Sequence, residues 1–236
     1  MTLASDWDLG PASFPTLKSI VYLSGADASD AGGHDGVGLM AQPGNSLHRR
    51  IDRHRWWAAD NGCYAAGDRF DPGAWLAWLE RLAELPASGG GALNRCLFAV
   101  LPDVVADPAA TWRRAAPHRD AVAELGYPVA LAAQNGLTVD AVEWDAIDAL
   151  FIGGTTAWKL SEHAITLARH ARALGKWTHM GRVNSWRRLR HAATAGFDSV
   201  DGTFLAFGPD RNLPAMVSWV DRAAAQPALF DQEHRA

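Results

Sequence analysis

Short apolar runs alternate with amphipathic stretches along most of this chain, and that alternation limits the fold more than any other feature. Continuous apolar runs predict strands over 19–25, 56–60, 96–103, 128–134, 149–154, 176–181 and 198–202. Between them, apolar residues at helical spacing predict helices over 71–85, 107–126, 138–145, 156–175 and 185–197. Strands that are apolar throughout, most of them followed by a helix, are typical of a parallel sheet covered on both faces.

A single-domain (β/α)8 barrel of the TIM type is the arrangement that these units predict. A chain of 236 residues can bury one large core, and seven or eight strand–helix units close most economically into a barrel. The alternative is an open, doubly wound sheet, but no Gly-x-Gly-x-x-Gly pattern follows the first strand to favour it. The barrel is assigned to residues 1–225, and residues 226–236 are predicted to form a mobile tail.

Three segments complete the predicted layout. Residues 26–47 are rich in Gly, Asp and Ser and are predicted to form a long loop after the first strand. This leaves seven predicted strands, and the candidate for an eighth is the TFLAFG segment over 203–208, which is either a short strand or a loop. The Gly-rich segment 86–94 is predicted to be a loop inside one unit and not a domain boundary.

The composition excludes several classes of protein. Hydrophobic residues make up 48% of the chain, which is ordinary for a globular domain, and no run of about 18 apolar residues predicts a membrane span. The first ten residues are too acidic for a signal peptide, and the two cysteines, Cys63 and Cys96, favour a reducing compartment. The nine histidines lack HExxH or Cys-His spacing, so we expect no metal site.

Polar residues and glycines end most of the predicted strands. In a (β/α)8 barrel the carboxyl ends of the strands open onto one mouth, where active sites lie. The residues at these ends are Asp60, Asp103, Gln134, Gly153-Gly154, Met180-Gly181 and Asp201-Gly202. Each aspartate alone is also explained as a helix cap or turn former. Several carboxylates around one mouth are costly to hold together, so we expect a ligand or a reaction to use them.

This set of side chains suits substitution at the anomeric carbon of a sugar. One carboxylate attacks as the nucleophile, and a second group transfers protons to and from the leaving and entering groups. A further aspartate that accepts two N–H bonds, with an amide beside it, matches the hydrogen-bonding edge of guanine. The backbone N–H groups of Gly153 and Gly154 can approach a ligand closely, and Tyr64 and Met180 are candidates to cover the two faces of a planar ring.

In these segments the sequence resembles the tRNA-guanine transglycosylase superfamily, and within it the short phage-type enzymes that put 7-deazaguanines into DNA. The similarity extends over about residues 56–205 as short motifs in the same order. The motifs are DNGCY (60–64), LPDVVAD (101–107), AAQNG (132–136), FIGG (151–154) and HMGRVNSWRRLRHAATAGFDSVDGT (179–203).

The resemblance implies a role for each matched residue. Asp201 matches the family's nucleophile, and Asp60 matches its general acid/base aspartate. The other matched residues would bind the base: its edge (Asp103 and Gln134), its carbonyl (Gly153 and Gly154) and its two faces (Tyr64 and Met180).

The departures from the family pattern bear on the substrate. Asn61 and Cys63 replace a serine and a glycine, and the Pro-Thr-Arg that usually follows the nucleophile is missing. The zinc-binding subdomain of the tRNA enzymes is also missing, and since that subdomain helps to hold tRNA, the resemblance favours DNA. The implied reaction is exchange of guanine for a 7-deazaguanine such as preQ0, without a cofactor, in the cytoplasm (the host cytoplasm for a phage enzyme).

A net charge of −4 does not by itself predict a nucleic-acid partner, but one basic segment lies where phosphates would pass. Arg182, Arg187 and Arg188 follow the Met180 strand end, and Ser185 is a candidate cap for the helix that begins there. The alternative for these arginines is a solvated helix face. Three other functions stay open: guanine exchange in tRNA, a base-excising hydrolase, in which water replaces the incoming base, and a catalytically silent nucleic-acid-binding subunit.

Overall fold

The computed structural model of this protein describes residues 14–15, 17, 19–31, 33–85 and 91–225. Eight parallel strands pair in sequence order, and the first also pairs with the last, so that the sheet closes into a barrel. The strands are β1 (Val21–Ser24), β2 (Val37–Ala41), β3 (Trp57–Ala59), β4 (Cys96–Val100), β5 (Val129–Ala133), β6 (Ala149–Ile152), β7 (Trp177–Met180) and β8 (Ser199–Gly202). The prediction of a (β/α)8 barrel is confirmed. The predicted tail over 226–236, and residues 86–90 of the predicted loop, lie outside the described residues.

Strand β2 lies inside the region 26–47, so the prediction of a long loop there is wrong. Gly38 interrupts the apolar run in the sequence, yet it has no room for a side chain. A Cβ at this position would lie 2.5 Å from the carbonyl oxygen of Trp56 and 2.7 Å from the side chain of Leu23. The glycine is therefore a packing requirement of a strand, not the sign of a loop. The neighbouring connections carry 3₁₀ helices, Ser29–Ala31 and Ser46–Arg53, which give no α-helical pattern to read.

The TFLAFG segment does not supply the eighth strand. It forms a 3₁₀ helix, Phe204–Phe207, in which Leu205 is buried. The ring of Phe204 packs against Trp219, with 4.4 Å between the ring centroids. Because β2 supplies the missing strand, the barrel closes without this segment.

Eight α-helices lie in the described ranges, and none of them is long and apolar enough to cross a membrane. They are α1 (Cys63–Ala66), α2 (Pro72–Ala83), α3 (Pro108–Ala115), α4 (Arg119–Glu124), α5 (Thr156–Lys159), α6 (Glu162–Ala173), α7 (Trp186–Thr194) and α8 (Pro209–Ala224). The first and the last of these have no counterpart among the predicted helices.

Three of the predicted helices are interrupted or replaced. The helix expected over 107–126 breaks at Pro117, which lacks the N–H that a continuous helix needs, and α3 and α4 flank the 3₁₀ turn there. The helix expected over 156–175 divides at Ser161, whose hydroxyl accepts the Ala164 N–H and caps α6. The segment 138–145 forms two 3₁₀ helices, Val139–Ala141 and Trp144–Ala146.

The strand side chains alternate between two apolar layers. One layer fills the barrel, with Leu23, Met40, Phe98 and Trp177 among its members, and the other lies between the strands and the helices. Because successive side chains of a strand point in opposite directions, a residue that follows an outward-facing one at the carboxyl end of a strand points toward the mouth. The residues that the barrel brings to its mouth in this way are Asp60, Gln134 and Asp201.

Candidate active site

Asp201, on β8, has two carboxylate oxygens with different surroundings. Oδ1 lies 3.1 Å from Nε2 of His179 and accepts a hydrogen bond from the backbone N–H of Arg182 at 3.0 Å. Within the described part of the chain, no hydrogen bond reaches Oδ2. The side chain is 17% exposed, so a ligand in the mouth can reach it. Among the described residues, one carboxylate oxygen of Asp201 therefore has no donor, which suits a nucleophile.

Asp60 follows β3 and lies in an environment that opposes its ionisation. Its Oδ2 accepts a hydrogen bond from Nε2 of Gln42 at 3.2 Å, and its Oδ1 accepts a long one from the Gly62 N–H at 3.4 Å. Burial, assisted by the negative charges of Asp201 and then Asp103, raises the pKa of Asp60 from 3.8 to about 7. A carboxyl group with this pKa can both give and take a proton near neutral pH.

Asp103 is held by hydrogen bonds to both of its carboxylate oxygens. Oδ1 accepts from Nδ2 of Asn61 at 2.9 Å, and Oδ2 accepts from Nε2 of Gln134 at 2.7 Å. Burial raises the pKa of Asp103, while the hydrogen bond from Asn61 and the charge of Arg114 oppose that rise. Each oxygen of an ionised Asp103 keeps acceptor capacity, so the fixed carboxylate can still receive two N–H donors from a ligand.

Gln134 is engaged with the protein on both atoms of its amide group. Its Nε2 donates to Asp103, and its Oε1 accepts the backbone N–H of Ala106 at 2.9 Å. The residue is only 1% exposed. Ala106 has a φ of 64°, which a non-glycine residue rarely adopts, and this conformation accompanies the contact. Gln134 thus lies beside the predicted base-edge residue, and its two described hydrogen bonds tie its amide to Asp103 and Ala106, which helps to orient Asp103.

Gly153 and Gly154 are buried directly after β6, and the packing of the protein itself requires both of them. A Cβ at Gly153 would lie 2.9 Å from Nε2 of Gln134, and one at Gly154 would lie 2.3 Å from Oδ1 of Asn135. Close approach of these strand ends therefore explains the Gly-Gly pair before any ligand is considered.

Tyr64 and Arg182 meet at the mouth. Tyr64 is 69% exposed, and the guanidinium carbon of Arg182 lies 4.6 Å from the centroid of its ring. Nη2 of Arg182 also donates to the carbonyl oxygen of Gly154 at 2.8 Å. Arg182 has a φ of 59°, in the left-handed region, and its N–H is the one that reaches Asp201. One arginine thus connects the predicted stacking residue, the glycine pair and the predicted nucleophile.

Met180 does not lie where the prediction requires it. The residue is 1% exposed and belongs to the layer between the strands and the helices, together with Ile152 and Val200, its neighbours on β6 and β8. On β7 the side chain that points into the barrel is His179, because successive residues of a strand face opposite sides. The prediction that Met180 covers one face of a base is therefore wrong in this structure.

Arg187 and Arg188 border a groove between α6 and α7. A cavity of about 480 Å³ is lined by Leu160, Ser185, Arg187, Arg188 and His191. A neighbouring cavity of about 380 Å³ shares Arg187 and His191 and adds Arg169 and Arg190, with Glu162 as its acidic residue. The groove adjoins the mouth, since Nη1 of Arg188 lies 3.5 Å from the carbonyl oxygen of Arg182. Ser185 caps α7 as predicted, because its Oγ accepts the Arg188 N–H.

Four residues of the site have no role assigned from the sequence. Gln42 follows β2, a strand that the sequence pattern does not predict, and Asn61 enters the sequence analysis only as a departure from a family motif. His179 occupies an inward position on β7, and alternation along the strand does not by itself show which of its two faces points inward. Lys159, 3% exposed, donates from Nζ to the carbonyl oxygen of Gly181 at 2.5 Å, and we know no sequence signal for it. Burial, assisted by the charge of Arg182, lowers the pKa of Lys159 to about 8.

No group of three or more His, Cys, Asp or Glu side chains in the described ranges is arranged to hold a metal ion. Cys63 and Cys96 are both free and buried. Burial raises the pKa of both thiols, that of Cys63 to about 11, so neither cysteine offers a ready thiolate near neutral pH.

Comparison with known proteins informs the fold alone. No protein-family model matches the sequence, and no curated protein matches it. Among solved structures, the chain is similar to tryptophan synthase from M. tuberculosis in an open form with BRD0059 bound, with a TM-score of 0.55 and 13% sequence identity. That match covers 88% of this chain and 92% of the other. An aminoacrylate- and BRD0059-bound form of the same enzyme matches with a TM-score of 0.47 and 11% identity over the same shares of the two chains.

Proposed function

We propose that this protein exchanges guanine in DNA for a 7-deazaguanine such as preQ0, through a covalent intermediate on Asp201. The observation that carries this proposal is the presence of two unlike carboxyl groups at one mouth. One oxygen of Asp201 receives no hydrogen bond from the part of the chain that the structure describes, and burial raises the pKa of Asp60 to about 7. A nucleophile and a separate proton-transfer group are what a double displacement at C1′ of a nucleotide needs.

In the first half-reaction, Oδ2 of ionised Asp201 attacks C1′ of the target deoxyguanosine. The C1′–Oδ2 bond forms, the C1′–N9 bond breaks, and the electron pair of the broken bond stays on the base. Protonated Asp60 gives its proton to the departing base, so guanine leaves as a neutral molecule. The configuration at C1′ is inverted.

In the second half-reaction, the 7-deazaguanine occupies the position that guanine has left. Asp60, now ionised, takes the proton from N9 of the incoming base, and N9 displaces Asp201 from C1′. Asp60 ends protonated and Asp201 ends ionised, so both groups regain their starting states. Two inversions give net retention, and the exchange requires no energy source.

Base recognition is assigned to Asp103. Its carboxylate is fixed by Asn61 and Gln134 and keeps acceptor capacity for the two N–H donors of a guanine edge. Tyr64 offers an exposed ring for stacking, and the planar guanidinium of Arg182 already lies over it. These features support guanine and 7-deazaguanine as the ligands, because both present the same donor edge.

DNA is the proposed polymer, with the target nucleotide flipped out of the helix to reach the mouth. The groove between α6 and α7 supports this assignment, since Arg187 and Arg188 line it and Arg182 lies between it and the mouth. Guanidinium groups in such a row suit successive phosphates of one strand.

The test is to incubate the protein with labelled guanine and either DNA or tRNA, and to measure the label in each polymer. We expect the label to enter DNA and not tRNA, and unlabelled preQ0 to chase it out. Asp201→Asn is the control and should incorporate nothing. Label in tRNA would overturn the choice of polymer. Release of guanine that does not depend on an added base would indicate a hydrolase, and no reaction on either polymer would indicate a silent binding subunit.

A further inference from the structure

A chain of hydrogen bonds inside the barrel ends on Asp201. Nε1 of Trp177 donates to Oγ of Ser199 at 2.8 Å, and the same Oγ lies 2.8 Å from Nδ1 of His179. Nε2 of His179 lies 3.1 Å from Oδ1 of Asp201. Ser199 and His179 are fully buried, and Trp177 is 3% exposed, so water does not compete for these contacts.

The two ends of this chain determine where its protons lie. The indole nitrogen of Trp177 can only donate, so Ser199 accepts there and is free to donate its hydroxyl proton to Nδ1 of His179. An ionised Asp201 can only accept, so Nε2 of His179 must carry a proton. The Asp201 contact thus requires a proton on Nε2, and the free hydroxyl proton of Ser199 allows Nδ1 to act as an acceptor, as it does in the neutral Nε2–H tautomer of His179.

The surroundings of the imidazole favour this neutral form. The ring stacks on Phe151, with 4.5 Å between centroids, and meets the edge of Phe98 at 5.1 Å. Burial lowers the pKa of His179, and the hydrogen bond to Asp201 opposes that effect only in part. His179 can therefore donate to Asp201 without carrying a positive charge that would weaken a nucleophile.

We propose that His179 is a positioning residue that selects Oδ2 of Asp201 as the attacking atom. The His179 side chain and the Arg182 N–H both bind Oδ1, so they fix the plane of the carboxylate and leave Oδ2 for the sugar carbon. Ser199 and Trp177 support this arrangement by holding the tautomer of His179. The inference rests on the proposed covalent exchange for its consequence, but its geometry can be tested without any reaction.

The first measurement is the ¹⁵N NMR spectrum of the His179 ring in the wild-type protein at neutral pH. We expect a protonated Nε2 and an unprotonated Nδ1, and we expect Ser199→Ala to weaken that preference. A proton on Nδ1, or on both nitrogens, overturns the inference. This result does not depend on whether the protein exchanges bases.

The second measurement compares His179→Leu with His179→Gln in single-turnover formation of the covalent adduct with DNA. Leucine removes the donor, while the amide of glutamine can replace it at similar size. A hydrogen bond to a charged group corresponds to about a 10- to 100-fold change, so we expect His179→Leu to slow adduct formation by about that factor. Affinity for DNA should stay unchanged, and His179→Gln should recover most of the rate.

A purely structural role for His179 would give a different pattern. Both variants would then lose rate in proportion to their loss of thermal stability, and His179→Gln would give no rescue. Wild-type rates in a well-folded His179→Leu would also overturn the inference. If the wild type itself forms no adduct, the proposed function fails, and the NMR result alone decides whether the hydrogen-bond chain exists.

Discussion

At the scale of single residues, Asp60 is a position where the folded protein binds a proton more tightly than the unfolded chain. Its pKa rises from 3.8 to about 7 on folding, mainly through burial. Protonation of Asp60 therefore contributes stability that is fully present below pH about 4 and is lost as the pH rises to about 7. The ionisation of Asp60 thus destabilises the folded protein, as expected of a carboxyl group that serves proton transfer and not stability.

The first prediction follows from this difference. Asp60→Asn removes the ionisable group, so the free energy of unfolding of the wild type should fall relative to the variant between pH about 4 and about 7. The pKa rise corresponds to a difference of about 4 kcal/mol at full ionisation. Denaturant unfolding of both proteins across this pH range measures this difference, with Asp68→Asn at an exposed position as the control substitution. A wild type that gains stability over Asp60→Asn as the pH rises would contradict the assignment.

The second prediction concerns Asp103 and the base edge. Asp103→Ala removes the acceptor of two base N–H groups and should cost about 2–5 kcal/mol in transition-state binding. Asp103→Asn should also weaken guanine use, because one acceptor becomes a donor. Steady-state exchange of guanine gives kcat/KM for each variant, and Asp107→Asn, which removes a nearby charge but can still cap α3, is the control. Equal use of guanine by either Asp103 variant would refute the role.

The residues of the site that the sequence could predict are those at strand ends. Asp60 and Asp201 break or end apolar runs, and the barrel brings the ends of such runs together. The prediction for Met180 is wrong because a motif does not show which side of a strand a residue faces. His179 was missed for the same reason, since a histidine in an apolar run is ordinarily a satisfied core residue. Orientation depends on where β7 begins, which its sequence alone does not determine.

At the scale of elements, β2 depends on a glycine that no other residue can replace without strain. Gly38→Ala would bring a Cβ to 2.5 Å from the Trp56 carbonyl oxygen, in backbone that cannot easily yield. We expect a loss of about 1–3 kcal/mol in the free energy of unfolding, typical of overpacking. Gly25→Ala is the matched control, because its nearest contact would be at an ordinary 3.7 Å. Equal stability of the two variants in denaturant titrations would contradict the packing of β2.

Helix α7 is predicted to bind phosphates through its first turn. Arg187→Ala and Arg188→Ala should weaken DNA binding at all sequences and should each reduce the slope of log affinity against log salt by about 1. Arg81→Ala is the control, since Arg81 lies on α2, which follows β3, four strands away from β7 around the barrel. Fluorescence anisotropy with a labelled duplex at several salt concentrations measures the slopes. Slopes equal to that of the wild type would favour a solvated helix face.

Element boundaries show where sequence patterns stop being sufficient. Strands β1 and β3 to β8 each coincide with a predicted strand, and most of them are short apolar runs. Strand β2 is not predicted from the sequence, because it contains Gly38 and the connections on both sides of it carry 3₁₀ helices. Breaks at Pro117 and Ser161 depend on local capping and on backbone donors, which periodicity does not detect.

At the scale of the whole molecule, closure of the barrel creates the site. The three aspartates come from different units: Asp60 directly follows β3, Asp103 lies in the loop after β4, and Asp201 lies on β8. Burial raises the pKa of Asp60, and the charges of the other two aspartates raise it further. The resemblance to tryptophan synthase, at 13% identity, concerns this scaffold and not its chemistry. Function must therefore be decided from the mouth of the barrel.

The central claim is that Asp201 forms a covalent bond to the sugar of the target nucleotide while Asp60 transfers protons. The most direct measurement is a denaturing gel of wild type, Asp201→Asn and Asp60→Asn after incubation with guanine-containing DNA. We predict a protein–DNA adduct with the wild type, none with Asp201→Asn, and slow formation with Asp60→Asn, since a proton-transfer group is worth about 10²–10⁴-fold. An adduct that persists in Asp201→Asn and vanishes in Asp60→Asn would contradict the assignment of the two roles.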